Sequence, residues 1–88
     1  MTPQEQKSLK AKAHSLKPVV IIGNKGLTEA VLTEIDLSLE HHELIKIKIA
    51  GQAKANRQEM CSKIAASQQA ECLQIIGQIA VFYRKKST

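Results

Sequence analysis

A short loop bounded by two glycines, Gly23-Asn24-Lys25-Gly26, contains the residue types that bind an anion through the main chain. It follows the β-branched apolar run Val19–Ile22, which is typical of a buried strand. Thr28 then occupies a predicted helix start, with Leu27 and Leu32 spaced as a hydrophobic staple. Unpaired amides and the helix dipole both favour an anion at such a position. Because the chain is basic, we expect that anion to be a nucleic-acid phosphate.

The side chains of this loop, called the GNKG loop below, explain the expected chemistry. Gly23 and Gly26 lack a Cβ, so a phosphate or ribose can approach the backbone closely and a positive φ costs little. Lys25 supplies a mobile charge, and Asn24 can donate or accept hydrogen bonds. A GXXG loop that holds an RNA backbone is the device of KH domains, although here the similarity concerns chemistry and not homology. A plain tight turn explains most such matches, so the RNA interpretation depends on the flanking elements and the charge.

Length and composition indicate one small domain with polyanionic partners. The 88 residues leave room for a single core, expected over residues 3–84 with a frayed tail at 85–88. The net charge of +5 points toward RNA or DNA. The polar N-terminus and the lack of a long apolar run predict a cytoplasmic protein that does not enter membranes. We expect a monomer, although no residue pattern determines the oligomeric state. Cys61 and Cys72 are too few for a small secreted scaffold, so we expect reduced thiols.

Charge is segregated along the chain. Residues 1–26 carry lysines opposed only by Glu5, whereas residues 27–45 carry only acidic residues among the charged types. Basic residues return from Lys46 onward. This pattern predicts an acidic second helix and one RNA-facing side, while the simpler alternative is solvated charge without a partner.

Several basic residues outside the loop are candidate phosphate contacts. Lys46 and Lys48 fall on one strand face, where they either extend a phosphate track or keep an exposed sheet soluble. Lys17, Arg57 and Arg84 are similar cases. The predicted RNA-binding set is Gly23, Asn24, Lys25, Gly26, Lys17, Lys46, Lys48, Arg57 and Arg84. No catalytic residue, cofactor or metal site is predicted, because the sequence has no GxxxxGK[ST] motif, ligand cluster or nucleophile with an evident base.

The hydrophobic periodicity predicts a single α/β domain with the order α-β-α-β-α-β-β. Helices are expected at Pro3–Ser15, Thr28–His41 and Asn56–Ser67, and strands at Val19–Ile22, Leu44–Ala50, Glu71–Ile76 and Ile79–Arg84. A capping box of Asn56 and Glu59 would start the third helix. Two strand–helix–strand units favour parallel pairing with right-handed crossovers, and the result would be a small mixed sheet with helices mainly on one face.

The last two strands are expected to form a hairpin around Gly77-Gln78, in a type II′ turn. A two-residue loop would pair Ile75 with Ala80 and Leu73 with Phe82 on one face. It would also pair Gln74 with Val81 and Cys72 with Tyr83 on the other.

Three segments in this order resemble a known family. The run Leu16–Glu29 resembles the signature of the YhbY-like proteins, the free-standing bacterial form of the CRM (chloroplast RNA splicing and ribosome maturation) domain. Leu39–Lys46 looks like the family's helix-to-strand junction, and Gln74–Gly77 with Tyr83-Arg84 looks like its closing hairpin. The chain departs from the family pattern at Gln78, where a basic residue is frequent, and at 67–70, where a Thr-Gly-Ala turn is more usual.

The resemblance implies an RNA-binding domain with a fold similar to the C-terminal domain of translation initiation factor three. Bacterial members are associated with precursors of the large ribosomal subunit, and plant relatives act in group II intron splicing. The preferred hypothesis is therefore a non-catalytic protein that binds rRNA during large-subunit assembly, with ribosomal proteins as possible further partners. The alternatives are an enzyme acting on RNA and an adaptor that docks a basic protein through the acidic second helix.

Overall fold

The computed structural model describes residues 1–86 and has the predicted order of elements. Every bound lies within two residues of its predicted position, so the α/β class and the order α-β-α-β-α-β-β are confirmed. Across residues 1–86, each helix is too short or too polar to span a bilayer. The elements are α1 Pro3–Ala13, β1 Pro18–Ile22, α2 Glu29–His42, β2 Leu44–Ile49, α3 Lys54–Gln68, β3 Glu71–Ile76 and β4 Ile79–Tyr83.

The four strands form one mixed sheet in the order β1-β2-β4-β3. β1 is parallel to β2, and β4 is antiparallel to both of its neighbours. The strand–helix–strand unit around α3 was expected to pair β2 directly with β3. That pairing is wrong, because β4 lies between the two strands, although β3 does run parallel to β2. A central position suits β4 because Ala80, Val81 and Phe82 are all buried, whereas Ile75 and Ile76 of the edge strand β3 are exposed.

The main core lies between the sheet and the helices α2 and α3. Alternate residues of β2 point into it, and the other strands and both helices complete it. The fully buried large side chains are Phe82, Ile22, Ile35, Leu39, Ile45, Ile47, Ile49, Ile64, Val20 and Cys61. Two of the three helices thus share one face, which agrees with the prediction.

Helix α1 covers part of the opposite sheet face. Its buried residue Ala13 lines a small cavity together with Lys10, Lys46 and Val81, and Val81 points away from the main core. The second face of β2 is therefore not simply a cationic surface, because α1 lies over the row that contains Lys46.

The closing hairpin has a different register from the predicted one. Gly77 has φ +56°, and Ile75 pairs with Ala80 as expected. A bulge between Cys72 and Gln74 then places Cys72 opposite Phe82. The predicted Leu73–Phe82 and Cys72–Tyr83 pairs are therefore wrong. The extra residue turns Cys72 toward the core, where it packs as a partly buried residue.

Helix α3 starts at Lys54, and the predicted capping box is wrong. Ala53 is the N-cap residue and contributes no side-chain hydrogen bond, and Asn56 lies inside the first turn. The segment before the helix is held instead by Arg57, whose Nη1 donates to the Gln52 carbonyl at 2.7 Å.

The end of the chain is partly tied to α2. Of the predicted frayed tail 85–88, residues 87–88 lie outside the described residues. Lys85 and Lys86 are exposed and follow the last strand without regular structure. The Lys86 amide nevertheless donates to Glu43 Oε2 at 2.8 Å, so the chain is held at this point.

Gln69 caps α3 in the left-handed conformation, with φ +52° and ψ +43°. Glycine adopts this conformation without the steric cost that a Cβ adds. We expect Gln69→Gly to raise the free energy of unfolding by about 0.5–1 kcal/mol, measured by urea denaturation. Gln68→Gly is the control: it replaces the last helical residue and should lower stability by up to about 1 kcal/mol. Equal losses in both variants would contradict the argument.

Candidate nucleic-acid interface

Three loops meet at one end of the sheet, where the strands β1 and β2 finish, and we call this end the loop edge. β1 and β2 are parallel, so the GNKG loop and the segment 50–53 leave the sheet side by side. The Ala50 amide donates to the Ile22 carbonyl at 2.9 Å, and the Ile49 amide donates to the Gln78 carbonyl at 2.7 Å. The hairpin turn therefore joins the same edge, and backbone hydrogen bonds hold the three segments together.

The GNKG loop is a tight turn with an open surface. The Gly26 amide donates to the Gly23 carbonyl at 3.0 Å, and Gly26 has φ +72°, which favours glycine. Gly23 has no positive φ, and a Cβ built on it would meet no atom within 4 Å. Asn24 and Lys25 are exposed. The fold therefore favours glycine at position 26 but leaves position 23 free for close approach.

The GNKG loop contacts the segment 50–53 at a second position that favours glycine. Gly51 has φ +71°, and a Cβ at this position would collide with the Asn24 side-chain oxygen. The Asn24 side chain therefore lies directly against the Gly51 backbone. This contact gives the GNKG loop a fixed neighbour in the segment 50–53.

The N-termini of α2 and α3 both lie at the loop edge. Thr28 caps α2 as predicted, because its hydroxyl accepts a hydrogen bond from the Val31 amide at 3.2 Å. Helix α3 has no side-chain cap, and its first turn has no acidic residue and begins with Lys54. Its first amides therefore lack a side-chain acceptor and, together with the positive end of the dipole, favour an anion.

Lys48 lies near the loop edge, and Lys46 lies farther from it. Lys48 is flanked by Ile21 on β1 and Ile79 on β4, on the sheet face beyond α1. Within residues 1–86, no carboxylate lies within 4 Å of its ammonium. Lys46 is two residues back along β2, beside α1. The structure thus brings Lys48 close to the GNKG loop and separates Lys46 from it.

Lys17 lies at the opposite end of the sheet. It precedes β1, whereas Gly23 follows it, and five strand residues span about 17 Å. Lys17 lines a cavity there with Leu9, His42 and Tyr83. This residue is therefore not brought together with the GNKG loop.

Arg84 is held within the protein. Its Nη1 lies 2.9 Å from Asp36 Oδ1, and its Nη2 lies 3.2 Å from Glu40 Oε1. The same guanidinium donates to the carbonyls of Gln68 at 3.1 Å and Asp36 at 3.0 Å, and its side chain is only 15% exposed. Arg84 thus connects the end of β4 to α2 and α3. The sequence signal that indicates this role is the i,i+4 pair Asp36 and Glu40 on α2.

Arg57 also has a structural role at the base of the loop edge. Besides the bond to the Gln52 carbonyl, its Nε is buried without a protein partner in the described residues. The half-buried side chain therefore positions the segment 50–53 relative to α3.

The two free cysteines lie together on α3 and β3, and Cys61 is buried. The hydrogen bond with Cys72 and burial in the core raise the pKa of Cys61, while the same hydrogen bond lowers the pKa of Cys72 to about 7. Within residues 1–86, no group of three His, Cys, Asp or Glu residues is placed to hold a metal ion.

The fold and the loop edge define a small α/β domain with an exposed backbone loop suited to an anion. The chain belongs to the CRS1/YhbY (CRM) domain family, whose model matches residues 1–84. This confirms the resemblance seen in the sequence.

Three relatives illustrate the family. An RNA-binding protein of Haemophilus influenzae is 44% identical over 84 residues, covering 96% of this chain and 85% of the relative. A probable RNA-binding protein of Pseudomonas aeruginosa is 39% identical over 85 residues, covering 97% and 82%. The solution structure of a hypothetical Staphylococcus aureus protein, itself proposed to bind RNA, has a TM-score of 0.86 and 28% identity, covering 100% of this chain and 92% of that one.

Proposed function

We propose that this protein is a non-catalytic RNA-binding protein of the cytoplasm that binds rRNA in precursors of the large ribosomal subunit. The observation that carries the proposal is the GNKG loop, where Gly23 leaves the backbone open although the fold does not require glycine there. The names of the bacterial relatives support RNA as the ligand. The ribosomal target is supported by the family resemblance of the sequence.

The proposed phosphate path follows the loop edge. A phosphate on the GNKG loop would meet backbone amides and the Lys25 ammonium, and the next would meet the uncapped start of α3 and Lys54. Lys48 would extend the path onto the sheet. We leave four of the candidate residues out of this path. Lys17 lies at the opposite end of the sheet, Lys46 lies beside α1, and Arg57 and Arg84 make internal contacts.

The adaptor hypothesis has weaker support. The acidic face of α2 carries an exposed leucine, Leu37, which suits a protein partner. Two of its carboxylates, Asp36 and Glu40, are already paired with Arg84, so less charge is available for a basic partner. Co-sedimentation with ribosomal precursors that survives RNase treatment would favour the adaptor.

Replacing Lys25 tests the proposed path. We expect Lys25→Gln to weaken binding to a fragment of large-subunit rRNA about fivefold, with little change in sequence preference. The steepness of log affinity against log salt should fall by about 0.7–0.9, because the variant makes one phosphate contact fewer and binding therefore releases fewer counterions. Fluorescence anisotropy at several salt concentrations measures both quantities.

Lys12→Gln is the matched control, since it removes the same charge at the opposite end of the sheet. In cells, crosslinking and sequencing of the bound RNA should recover large-subunit precursors with the wild type and fewer with Lys25→Gln. Equal affinities and slopes for the two variants would remove the GNKG loop from the mechanism.

A further inference from the structure

A groove of about 510 Å³ opens beside the GNKG loop, between the start of α2 and α3. Its floor is apolar and consists of the half-buried residues Leu27, Leu32 and Met60. Leu27 and Met60 pack against the main core, so this floor is part of the folded structure. We call it the loop groove.

The rim of the loop groove is polar. Its polar lining residues are Asn24 and Gln52, which carry side-chain amides, Lys63, which carries an ammonium, and Ser67, which carries a hydroxyl. The lining contains no carboxylate, although Lys63 Nζ lies 3.3 Å from Glu59 Oε1 in an exposed pair that solvent weakens. An apolar floor with a few amides and one cation favours a flat, uncharged group attached to an anion.

A nucleobase has this chemistry. Its faces are apolar, its edge both donates and accepts hydrogen bonds, and Asn and Gln amides complement both functions. Pockets of about 300–1,000 Å³ accommodate ligands of this class. The lining and the charge of the groove therefore suit a nucleobase, and its volume is large enough to hold one.

The loop groove is continuous with the proposed phosphate site, because Asn24 and Gly26 belong to both. We infer that the loop groove receives an unpaired nucleobase whose backbone phosphate lies on the GNKG loop. This inference rests on the proposed function and names the form of RNA that the loop binds. Bases paired in an A-form helix cannot enter a groove, so single-stranded segments, bulges or loops are bound in preference to duplex.

Methyl NMR tests this occupant directly. The chain has two methionines, Met60 on the groove floor and Met1 at the terminus, so Met1 is an internal control. A single-stranded RNA oligonucleotide is compared with a base-free ribose-phosphate strand of equal length. We expect the RNA to move the Met60 methyl signal by the ring current of a base and to leave Met1 unchanged. The base-free strand should perturb the amides of Gly23–Gly26 and should move the Met60 methyl much less than the RNA does, because it has no ring current.

Two outcomes separate this inference from the proposed function. Perturbed loop amides with an unmoved Met60 methyl would overturn the inference that a base occupies the loop groove, while supporting the GNKG loop as the phosphate site. Unperturbed loop amides with both strands would overturn both proposals. A Met60 shift of the same size with the base-free strand would show that no base enters the groove.

A pair of leucines on α2 supplies a binding test. Leu32→Ala trims the groove floor, and Leu37→Ala removes an exposed leucine of the same helix outside the groove. Leu32→Ala should weaken binding of single-stranded RNA about fivefold and leave base-free strand binding unchanged. Leu37→Ala should change neither affinity, and circular dichroism checks that both variants fold. Equal RNA affinities for the two variants would contradict the inference.

Discussion

Gly23→Ala is expected to weaken RNA binding about tenfold while changing the free energy of unfolding by less than about 0.5 kcal/mol. The added methyl would meet no protein atom within 4 Å, and the backbone at Gly23 is not in the left-handed region. It would occupy the space through which an RNA backbone is proposed to reach the amides. Anisotropy titrations and urea denaturation on the same preparation measure the two quantities.

Gly26→Ala is the matched control within the loop. Because Gly26 has φ +72°, alanine there should cost about 1 kcal/mol of stability. This cost comes from the backbone, since the added Cβ would lie at an ordinary contact distance of 3.9 Å from its nearest neighbour, Met60 Cε. The two glycines thus differ: the turn favours glycine at position 26 through its positive φ, whereas glycine at position 23 is proposed to keep the backbone open to the ligand. An unchanged RNA affinity in Gly23→Ala would show that the backbone of the loop is not the contact surface.

Arg84→Ala is expected to lower the free energy of unfolding by about 2–3 kcal/mol, with RNA affinity per folded molecule unchanged. The substitution removes two ion pairs and leaves the carbonyls of Gln68 and Asp36 without this donor. Urea denaturation gives the loss of stability, and titration below the transition gives the affinity.

Arg84→Lys and Lys85→Ala separate charge from geometry. Arg84→Lys keeps the charge but not the planar fork that serves four acceptors, so it should recover only part of the stability. Lys85 is exposed, and its replacement should leave stability nearly unchanged. A stable Arg84→Ala variant with weakened RNA binding would return Arg84 to the interface and contradict its structural role.

The order of elements could be predicted because each one has a local signal. β2 alternates isoleucine and lysine, and all three isoleucines prove buried. Thr28 caps α2 through its own hydroxyl, and Gly77 takes the positive φ that its turn needs. The predicted start of α3 is two residues late because Asn56 and Glu59 imitate a capping box, whereas Ala53 is the N-cap residue and the Arg57 side chain, five residues after Gln52, binds the Gln52 carbonyl.

The assembly of the site depended on contacts between distant segments. Nothing local in the sequence places β4 between β2 and β3, sets the bulge near Cys72 or directs α1 to the second sheet face. The positions of the basic residues also depend on the tertiary structure. Their charge alone did not show that Lys48 lies near the loop edge, that Lys17 lies at the far end of the sheet, or that Arg84 pairs with acidic residues of α2.

By itself, the sequence determined the family, the element order and the GNKG loop, because these depend on residue types and spacings within short segments. Only the tertiary structure decided which loops share an edge, which glycine of the GNKG loop has a positive φ, and that an apolar groove adjoins the loop. The physical reason is that burial and hydrogen bonding couple segments far apart in the chain. The parallel pairing of β1 with β2 brings residues 23–26 and 50–53 together, and packing of α2 against α3 forms the groove between them.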